Sequence, residues 1–195
     1  MISQLTKKHD FDMVFDSQKV FRNILYAMSN PGKVVDIKER TDKLFGNYRT
    51  FLTIAMTLLD NEVSFNACDN DLLTKDIASL TLAKWERMEA ADFIFIRESV
   101  HMEYVIENAK YGTLADPHKS ATIIIHDDNE PVCNIILSGP GIDRQKEISS
   151  SQIVKDAIIM RDAQCYEYPQ GIDFLFVAGD GGLFAISRLT RMEVQ

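Results

Sequence analysis

Residues 93–96 read Phe-Ile-Phe-Ile, four apolar residues in a row between the charged Asp92 and Arg97. A strand with one face in water alternates apolar and polar side chains, whereas a strand covered on both faces is apolar throughout. The run therefore predicts a central strand with a layer of structure on each side. Because predicted helices and strands alternate along the chain, we expect an α/β domain, a three-layer sandwich on a mixed β-sheet.

The first helix is predicted over residues 16–28, where apolar residues recur at helical spacing. Asp16 is the expected N-cap, and Phe15 is expected to pack on Val20 as a hydrophobic staple. The face expected to be buried consists of Val20, Phe21, Ile24, Leu25 and Met28.

A turn is predicted after this helix, over residues 30–33, which read Asn-Pro-Gly-Lys. Pro31 fixes φ for the first central position of a type II turn, and Gly32 supplies the positive φ of the second. A short strand is predicted over residues 34–38. Further helices are predicted to begin near Asn47, Leu72, Ser99 and Ser151.

Two hairpins are predicted in the second half of the chain. The first joins strands over residues 121–126 and 132–138 through the polar segment between them. The second joins strands over residues 174–178 and 183–187, with Asp180-Gly181 as a two-residue turn. Such a type I′ turn needs positive φ at both central residues, which favours this dipeptide.

The second hairpin makes a prediction about two charged residues. With a two-residue turn, Asp173 lies opposite Arg188, and their side chains form a charge pair on one face of the sheet. A bulge at Gly182 would shift the register by one residue and separate the two side chains. The alternative for Arg188 and Arg191 is a charged sheet edge that discourages addition of another strand.

Composition limits the classes of function. The chain has 195 residues, 46% of them hydrophobic, which fits one globular domain over residues 1–195. Its formal net charge of -8 argues against general binding to nucleic acid or to an anionic membrane. The odd count of 3 cysteines, and the charged Lys7 and Lys8 in place of a secretory signal, favour a reducing cytoplasm.

Motifs that would indicate a catalytic centre are missing from the sequence. There is no GxxxxGK[ST] phosphate loop, no GxGxxG fingerprint and no GxSxG elbow. Gly139-Pro140-Gly141 lacks the third glycine of a nucleotide fingerprint and is better interpreted as a strand stop. The histidines and cysteines show no spacing typical of metal ligands. We therefore predict no catalytic residue, no metal and no cofactor.

A candidate binding site lies on the first helix. Arg22, Tyr26 and Ser29 share one flank of the predicted helix, at the edge of its apolar face. An arginine beside a hydroxyl at a helix end can hold a phosphate or a partner's carboxylate. The alternative is an edge arginine that covers the core with its stem and pairs with a nearby acid, and this is the commoner situation.

Several short blocks along the chain match the landmarks of one protein family. At the start they are Phe21-Arg22, Ala27-Met28-Ser29 and Pro31-Gly32. In the middle they are Gly112-Thr113 and Leu137 with Gly139, Gly141 and Ile142. At the end they are Pro169, Gly171-Ile172-Asp173, Arg188, Thr190, Glu193 and Val194. On these residues the chain resembles PhnH, a subunit of the bacterial carbon–phosphorus lyase machinery for phosphonate breakdown.

The resemblance carries specific expectations. It implies a fold like the large domain of pyridoxal-phosphate-dependent transferases, without the cofactor. It implies a homodimer that also assembles with PhnG, PhnI and PhnJ. That complex joins a phosphonate to the ribose of ATP, displacing adenine and leaving the 5′-triphosphate. No catalytic residue is implied for this subunit.

Two roles remain open at this point. The chain is either an organising subunit that completes partner active sites, or a nucleotide- or phosphonate-binding subunit that contributes residues to the transfer. The acidic charge and the missing motifs favour the first. Arg22 with Ser29 favours the second, and the candidate binding or interface residues are Arg22, Ser29, Asp173 and Arg188.

Overall fold

The structure is a computed structural model that describes residues 9–194, so Lys7 and Lys8 lie outside the described residues. Its helices are α1 (Phe15–Ser29), α2 (Lys38–Thr41), α3 (Arg49–Leu58), α4 (Asp71–Thr81), α5 (Met102–Asn108) and α6 (Gln152–Ala163). Its strands are β1 (Val35–Asp36), β2 (Ser64–Asn66), β3 (Lys84–Trp85), β4 (Phe93–Ile96), β5 (Thr122–His126), β6 (Cys133–Ser138), β7 (Lys146–Ser150), β8 (Asp173–Val177), β9 (Gly182–Ile186) and β10 (Arg191–Val194).

The main sheet has seven strands in the order β1-β9-β8-β5-β4-β2-β3. Strands β8, β5, β4, β2 and β3 run parallel to one another, whereas β9 is antiparallel to both β8 and β1. The predicted mixed sheet is therefore confirmed. The apolar run of residues 93–96 forms β4, between β5 and β2.

Helices cover both faces of this sheet. Phe95 and Ile124 point to a core shared with α1, α3 and α4. Ile94 and Ile123 point to a second core, which is shared with α5 and α6 and with the small sheet described next. Because neighbouring strand residues belong to different cores, the continuous apolar run has the predicted cause, burial on both faces.

A second sheet of three strands, in the order β10-β6-β7, corrects the first predicted hairpin. Strand β6 pairs antiparallel with β7 and β10 and does not pair with β5. Both edges of β5 are occupied in parallel by β4 and β8, which leaves no edge for a hairpin partner. Turn chemistry within the connecting segment does not reveal that the chain changes sheets there.

The start of α1 differs from the prediction. Asp12 lies before the helix, and its Oδ1 accepts hydrogen bonds from the N–H groups of Val14 and Phe15, both at 2.8 Å. Asp16 is not the N-cap. It is 3% exposed within the helix, and its carboxylate accepts hydrogen bonds from Lys43 Nζ at 2.7 and 2.9 Å. The predicted staple is wrong as well, since Phe15 is 68% exposed.

The buried face of α1 is rotated relative to the prediction. Val20 and Ile24 are buried as expected, but Ala27 is buried with them. Phe21 and Leu25 are 49% and 55% exposed. Burial of the polar Asp16 draws the face towards Ala27, and residue hydrophobicity alone does not reveal this.

Other predicted helix starts had mixed outcomes. Ser151 caps α6, where its Oγ accepts the Val154 N–H at 3.3 Å. Asn47 is not a cap, since α3 begins after Tyr48, which makes no side-chain cap hydrogen bond. Ser99 begins a 3₁₀ turn that precedes α5. The turn at residues 30–33 is present, with Gly32 at φ 71° and the Lys33 N–H 3.0 Å from the Asn30 carbonyl oxygen.

The Asp16–Lys43 contact makes a prediction about stability. Burial raises the pKa of the Asp16 carboxyl, but hydrogen bonds from Lys43 and from the Asp12 N–H, with the charges of Lys43 and Arg40, bring the net pKa below 3.8. A lowered pKa stabilises the fold above the unfolded-state value, and this contribution is lost as pH falls through the folded-state value. At pH 7, Asp16→Asn should lower the free energy of unfolding by about 1–3 kcal/mol.

Urea unfolding at pH 7 and at several lower values checks this. The difference between wild type and Asp16→Asn should shrink as pH falls below about 4. Asp42→Asn is the control, because it breaks only the exposed ion pair with Arg49 and should cost less than about 1 kcal/mol. Equal losses for the two variants would contradict the importance of the buried contact.

Candidate functional site

Four segments meet around a cavity of about 310 Å³. They are the end of α1, the loop after β6, the first residue of β8 and the turn after β9. Ser29, Asp173 and Arg188 all line the cavity, so the structure brings together three of the four predicted site residues. We call it the junction cavity. It lies at the amino end of the parallel strand β8.

Arg22 does not line this cavity. It is exposed on α1 about two turns before Ser29, so the two side chains share a flank but lie about 10 Å apart along the helix axis. Within residues 9–194, Arg22 makes no hydrogen bond or ion pair. Ser29 is exposed at the last residue of α1, and its hydroxyl donates to the Leu25 carbonyl oxygen at 2.8 Å.

Asp173 and Arg188 form the predicted charge pair. Oδ2 of Asp173 accepts from Arg188 Nε at 3.0 Å and from Nη2, and Oδ1 accepts from the Arg188 backbone N–H at 2.7 Å. Arg188 Nη1 donates to the Pro117 carbonyl oxygen. Asp173 is 6% exposed. Both charged groups are bonded within the chain, which favours a structural role for the pair.

The predicted register of this hairpin is wrong by one residue. Phe174 pairs with Ile186, and the Ala178 N–H donates to the Gly182 carbonyl oxygen at 2.8 Å. With Ala178 and Gly182 as the last bonded pair, three residues, 179–181, connect the two sides of the hairpin, and Gly181 has φ 100°. This is the longer hairpin connection that ends in a positive-φ residue, not the two-residue turn.

The charge pair forms in spite of the shifted register because Arg188 is not in a strand. β9 ends at Ile186, and a turn follows in which the Thr190 N–H donates to the Ser187 carbonyl oxygen at 2.9 Å. Side-chain alternation applies only inside the strand. Arg188 therefore folds back over Asp173, the first residue of β8. The two residues were predicted to face each other on paired strands, but in the structure a turn residue contacts a strand residue.

Arg161 on α6 holds the same turn from its other side and was missed by the sequence analysis. Its side chain is 1% exposed, and Nη1 and Nη2 donate to the carbonyl oxygens of Ser187 and Thr190 at 3.0 and 2.6 Å. Nε donates to the Asp162 carboxylate at 3.0 Å. Burial lowers the pKa of the guanidinium, and the Asp162 charge partly offsets this.

A sequence signal for Arg161 does exist. It follows Ala157 and Ile158 at helical spacing, on the stripe that buries Val154. A charged residue on a buried stripe needs partners, and a guanidinium can satisfy several carbonyl groups at once. The sequence alone does not show that those carbonyls belong to residues 187 and 190.

The loop after β6 packs tightly against the other segments. A Cβ at Gly141 would lie 2.3 Å from the Ser29 carbonyl oxygen, and one at Gly139 would lie 2.8 Å from that of Leu189. Both glycines have positive φ, at 83° and 130°. β6 ends at Ser138, directly before Gly139-Pro140-Gly141, as the interpretation of a strand stop expected. The two glycines also allow the backbones of neighbouring segments to approach closely at the junction.

Between residues 9 and 194, no three His, Cys, Asp or Glu side chains gather as a metal ion would require. In the same part of the chain, no helix is long and apolar enough to span a bilayer.

Comparison with known proteins gives two findings. The sequence model of a family described as "Bacterial phosphonate metabolism protein (PhnH)" matches residues 9–193. A curated relative from Stutzerimonas stutzeri is named "Putative C-P lyase subunit protein HtxG". It is 24% identical over 163 residues, which cover 83% of this chain and 78% of the relative.

The close approach at Gly141 predicts the effect of a substitution. Gly141→Ala would meet a backbone oxygen and adopt an unfavourable positive φ, so it should lower the free energy of unfolding by about 3 kcal/mol or more. Gly46→Ala is the matched control, since Gly46 has φ 106° but no atom within 4 Å of the added Cβ. The control should cost about 1–2 kcal/mol. Chemical denaturation measures both, and an equal cost would show that the junction tolerates the added methyl group.

Proposed function

The chain belongs to the PhnH family of bacterial phosphonate metabolism proteins, and we propose that it serves as a subunit of a carbon–phosphorus lyase complex. The family match over residues 9–193 carries this proposal. The relative named as a C-P lyase subunit, which aligns with 83% of the chain, supports it. The reaction it supports is transfer of the ribose triphosphate of ATP to an alkylphosphonate, with displacement of adenine.

The proposed role is organising and not catalytic. At the junction cavity, Asp173 and Arg188 bond to each other, and Arg161 bonds to the turn that carries Arg188. Groups engaged in this way fix the positions of segments. They are poorly placed to transfer protons or to bind a substrate. A rigid domain that presents fixed surfaces to partners fits this arrangement.

The exposed side of α1 supports contact with partners. Phe21, Leu25 and Tyr26 are 49%, 55% and 49% exposed on one helix, beside the exposed Arg22. Aromatic side chains and arginine are enriched at protein interfaces. We propose that the chain forms a homodimer in the cytoplasm and assembles with PhnG, PhnI and PhnJ. We also propose that its fold resembles the large domain of pyridoxal-phosphate-dependent transferases, without the cofactor.

The organising role predicts that the isolated chain is catalytically silent. Incubated alone with ATP and methylphosphonate, it should release no adenine above background. A complex reconstituted from its partners should lose adenine release when this chain is omitted and regain it on addition. Adenine release is followed by liquid chromatography. Turnover by the chain alone would refute the organising role, and full activity without the chain would refute the subunit assignment.

A substitution at Arg22 tests separately whether the exposed side of α1 contacts partners. Because Arg22 is exposed and unpaired within residues 9–194, Arg22→Ala should change the free energy of unfolding by less than about 0.5 kcal/mol. It should nevertheless impair growth on a phosphonate as the phosphorus source. Lys19→Ala, also exposed on α1, is the control and should grow normally. A large loss of thermal stability in Arg22→Ala, with normal complex assembly, would show that the residue is structural.

A further inference from the structure

Strand β10 has one edge that pairs with no other strand. It is the end strand of the small sheet, and its inner edge pairs antiparallel with β6. No backbone hydrogen bond joins residues 191–194 to any segment other than β6 within residues 9–194. The outward-facing N–H and C=O groups of these residues are therefore open to pairing with a further strand. We call this outer side of residues 191–194 the β10 edge.

Two opposite charges lie on one face of the β10 edge. Arg191 and Glu193 are both exposed, and side chains two positions apart point to the same face of a strand. Arg191 forms no ion pair with any residue from 9 to 194. The Glu193 carboxylate accepts one long hydrogen bond, from Gln145 Nε2 at 3.5 Å. Both charges are therefore available to a strand that pairs with this edge.

This charge pattern is complementary to itself. When two copies of β10 pair antiparallel about Met192, Arg191 of each copy lies opposite Glu193 of the other. The outer faces of the two small sheets then lie on the same side. Directly opposed residues have Cβ atoms about 4.5–5.5 Å apart, so their side chains can form a salt bridge. Two-fold symmetry makes this contact twice.

The alternative interpretation of Arg191, a charged edge that discourages strand addition, fits this arrangement less well. Charges at a strand edge oppose pairing when they meet like charges or remain without a partner. In the antiparallel pairing about Met192, each arginine meets a glutamate. The same two residues therefore favour a second copy of this chain over a strand of unrelated sequence.

The other end strands of the two sheets lack this pattern. β1 and β3, at the ends of the main sheet, have two residues each. β7 has five, but its charged residues Lys146 and Glu147 are adjacent and point to opposite faces. If β7 paired with itself with the outer faces on one side, these two residues would not oppose each other. The self-complementary pattern therefore distinguishes the β10 edge.

Side chains beside the β10 edge enlarge the surface that a second copy would cover. Arg191 lines a shallow pocket of about 50 Å³ together with Tyr168 and Leu189. Tyr168 is 73% exposed. Tyrosine and arginine are enriched in protein interfaces, where an aromatic ring supplies contact area and a guanidinium supplies several donors.

We propose that two copies of the chain associate through the β10 edge. The two β10 strands pair antiparallel about Met192, with salt bridges between Arg191 of each copy and Glu193 of the other. The three strands of each small sheet then form one continuous sheet, in the order β7-β6-β10-β10-β6-β7. This inference rests on the homodimer of the proposed function and names the surface that forms it.

Charge reversal tests the pairing, with the Kd of the homodimer measured by analytical ultracentrifugation at low ionic strength. Arg191→Glu and Glu193→Arg each replace both salt bridges with contacts between like charges. Each variant should therefore raise the Kd by about ten-fold or more. An equal mixture of the two variants should form a heterodimer, since every opposed pair then joins opposite charges. The double variant Arg191→Glu/Glu193→Arg should dimerise as tightly as wild type.

Glu147→Arg is the matched control. Glu147 and Glu193 both lie opposite Ile136, so they share the outer face of the small sheet, and Glu147 is also exposed. The substitution makes the same change in charge, but β6 separates Glu147 from the β10 edge. Its homodimer Kd should equal that of wild type.

The same measurements distinguish failure of the surface from failure of the homodimer. A wild-type monomer at micromolar concentration would overturn both, and the subunit assignment would still be decided by the adenine-release experiment. A wild-type dimer that neither single variant weakens would overturn the β10 edge alone. Weakening by both single variants, with no recovery in the mixture or in the double variant, would also overturn it. Circular dichroism of each variant confirms that the protein compared is folded.

Discussion

The pairing of Asp173 with Arg188 is the contact on which the arrangement around the junction depends. Asp173 begins β8 in the main sheet, and Arg188 lies in the turn that leads to β10 of the small sheet. Arg161 holds the same turn from α6 through two carbonyl oxygens. The turn is therefore held twice, by the bonds of its own Arg188 to Asp173 and by the bonds from Arg161. It forms one of the chain connections between the two sheets, the one that leads from β9 to β10.

The contacts that fix the junction are concentrated at one end of the parallel strands. The junction cavity lies at the amino end of β8, where charges neutralise each other and glycines bring backbones together. At the other end of the parallel strands, three adjoining cavities of about 250, 360 and 240 Å³ follow β2, β4 and β5. The contacts that hold the segments of the junction and these cavities therefore lie at opposite ends of the sheet.

Local patterns predicted the parts of the fold that depend on local physics. The run at residues 93–96 is a strand covered on both faces, and Ser151 is a helix cap, because burial and capping act within a few residues. Prediction failed where distant segments compete. The β5–β6 hairpin was excluded by strands that already occupy both edges of β5. The face of α1 was rotated by a buried contact between Asp16 and Lys43, which lie 27 positions apart.

The candidate site was predictable only in part for the same reason. Asp173 and Arg188 were paired through a turn argument whose register was off by one, and the contact survived because Arg188 had already left the strand. Arg161 carries no motif. Its importance comes from what the fold places beside it, the carbonyl groups of Ser187 and Thr190.

A double-mutant cycle on Asp173 and Arg188 tests most directly whether this contact holds the junction together. Asp173→Ala, Arg188→Ala and the double variant would be compared by urea denaturation at neutral pH. The account predicts a coupling free energy of about 1–3 kcal/mol. It also predicts a larger loss for Asp173→Ala, since the carboxylate accepts the Arg188 backbone N–H as well as its side chain. Additive losses with no coupling would contradict it, because the two residues would then act independently of each other.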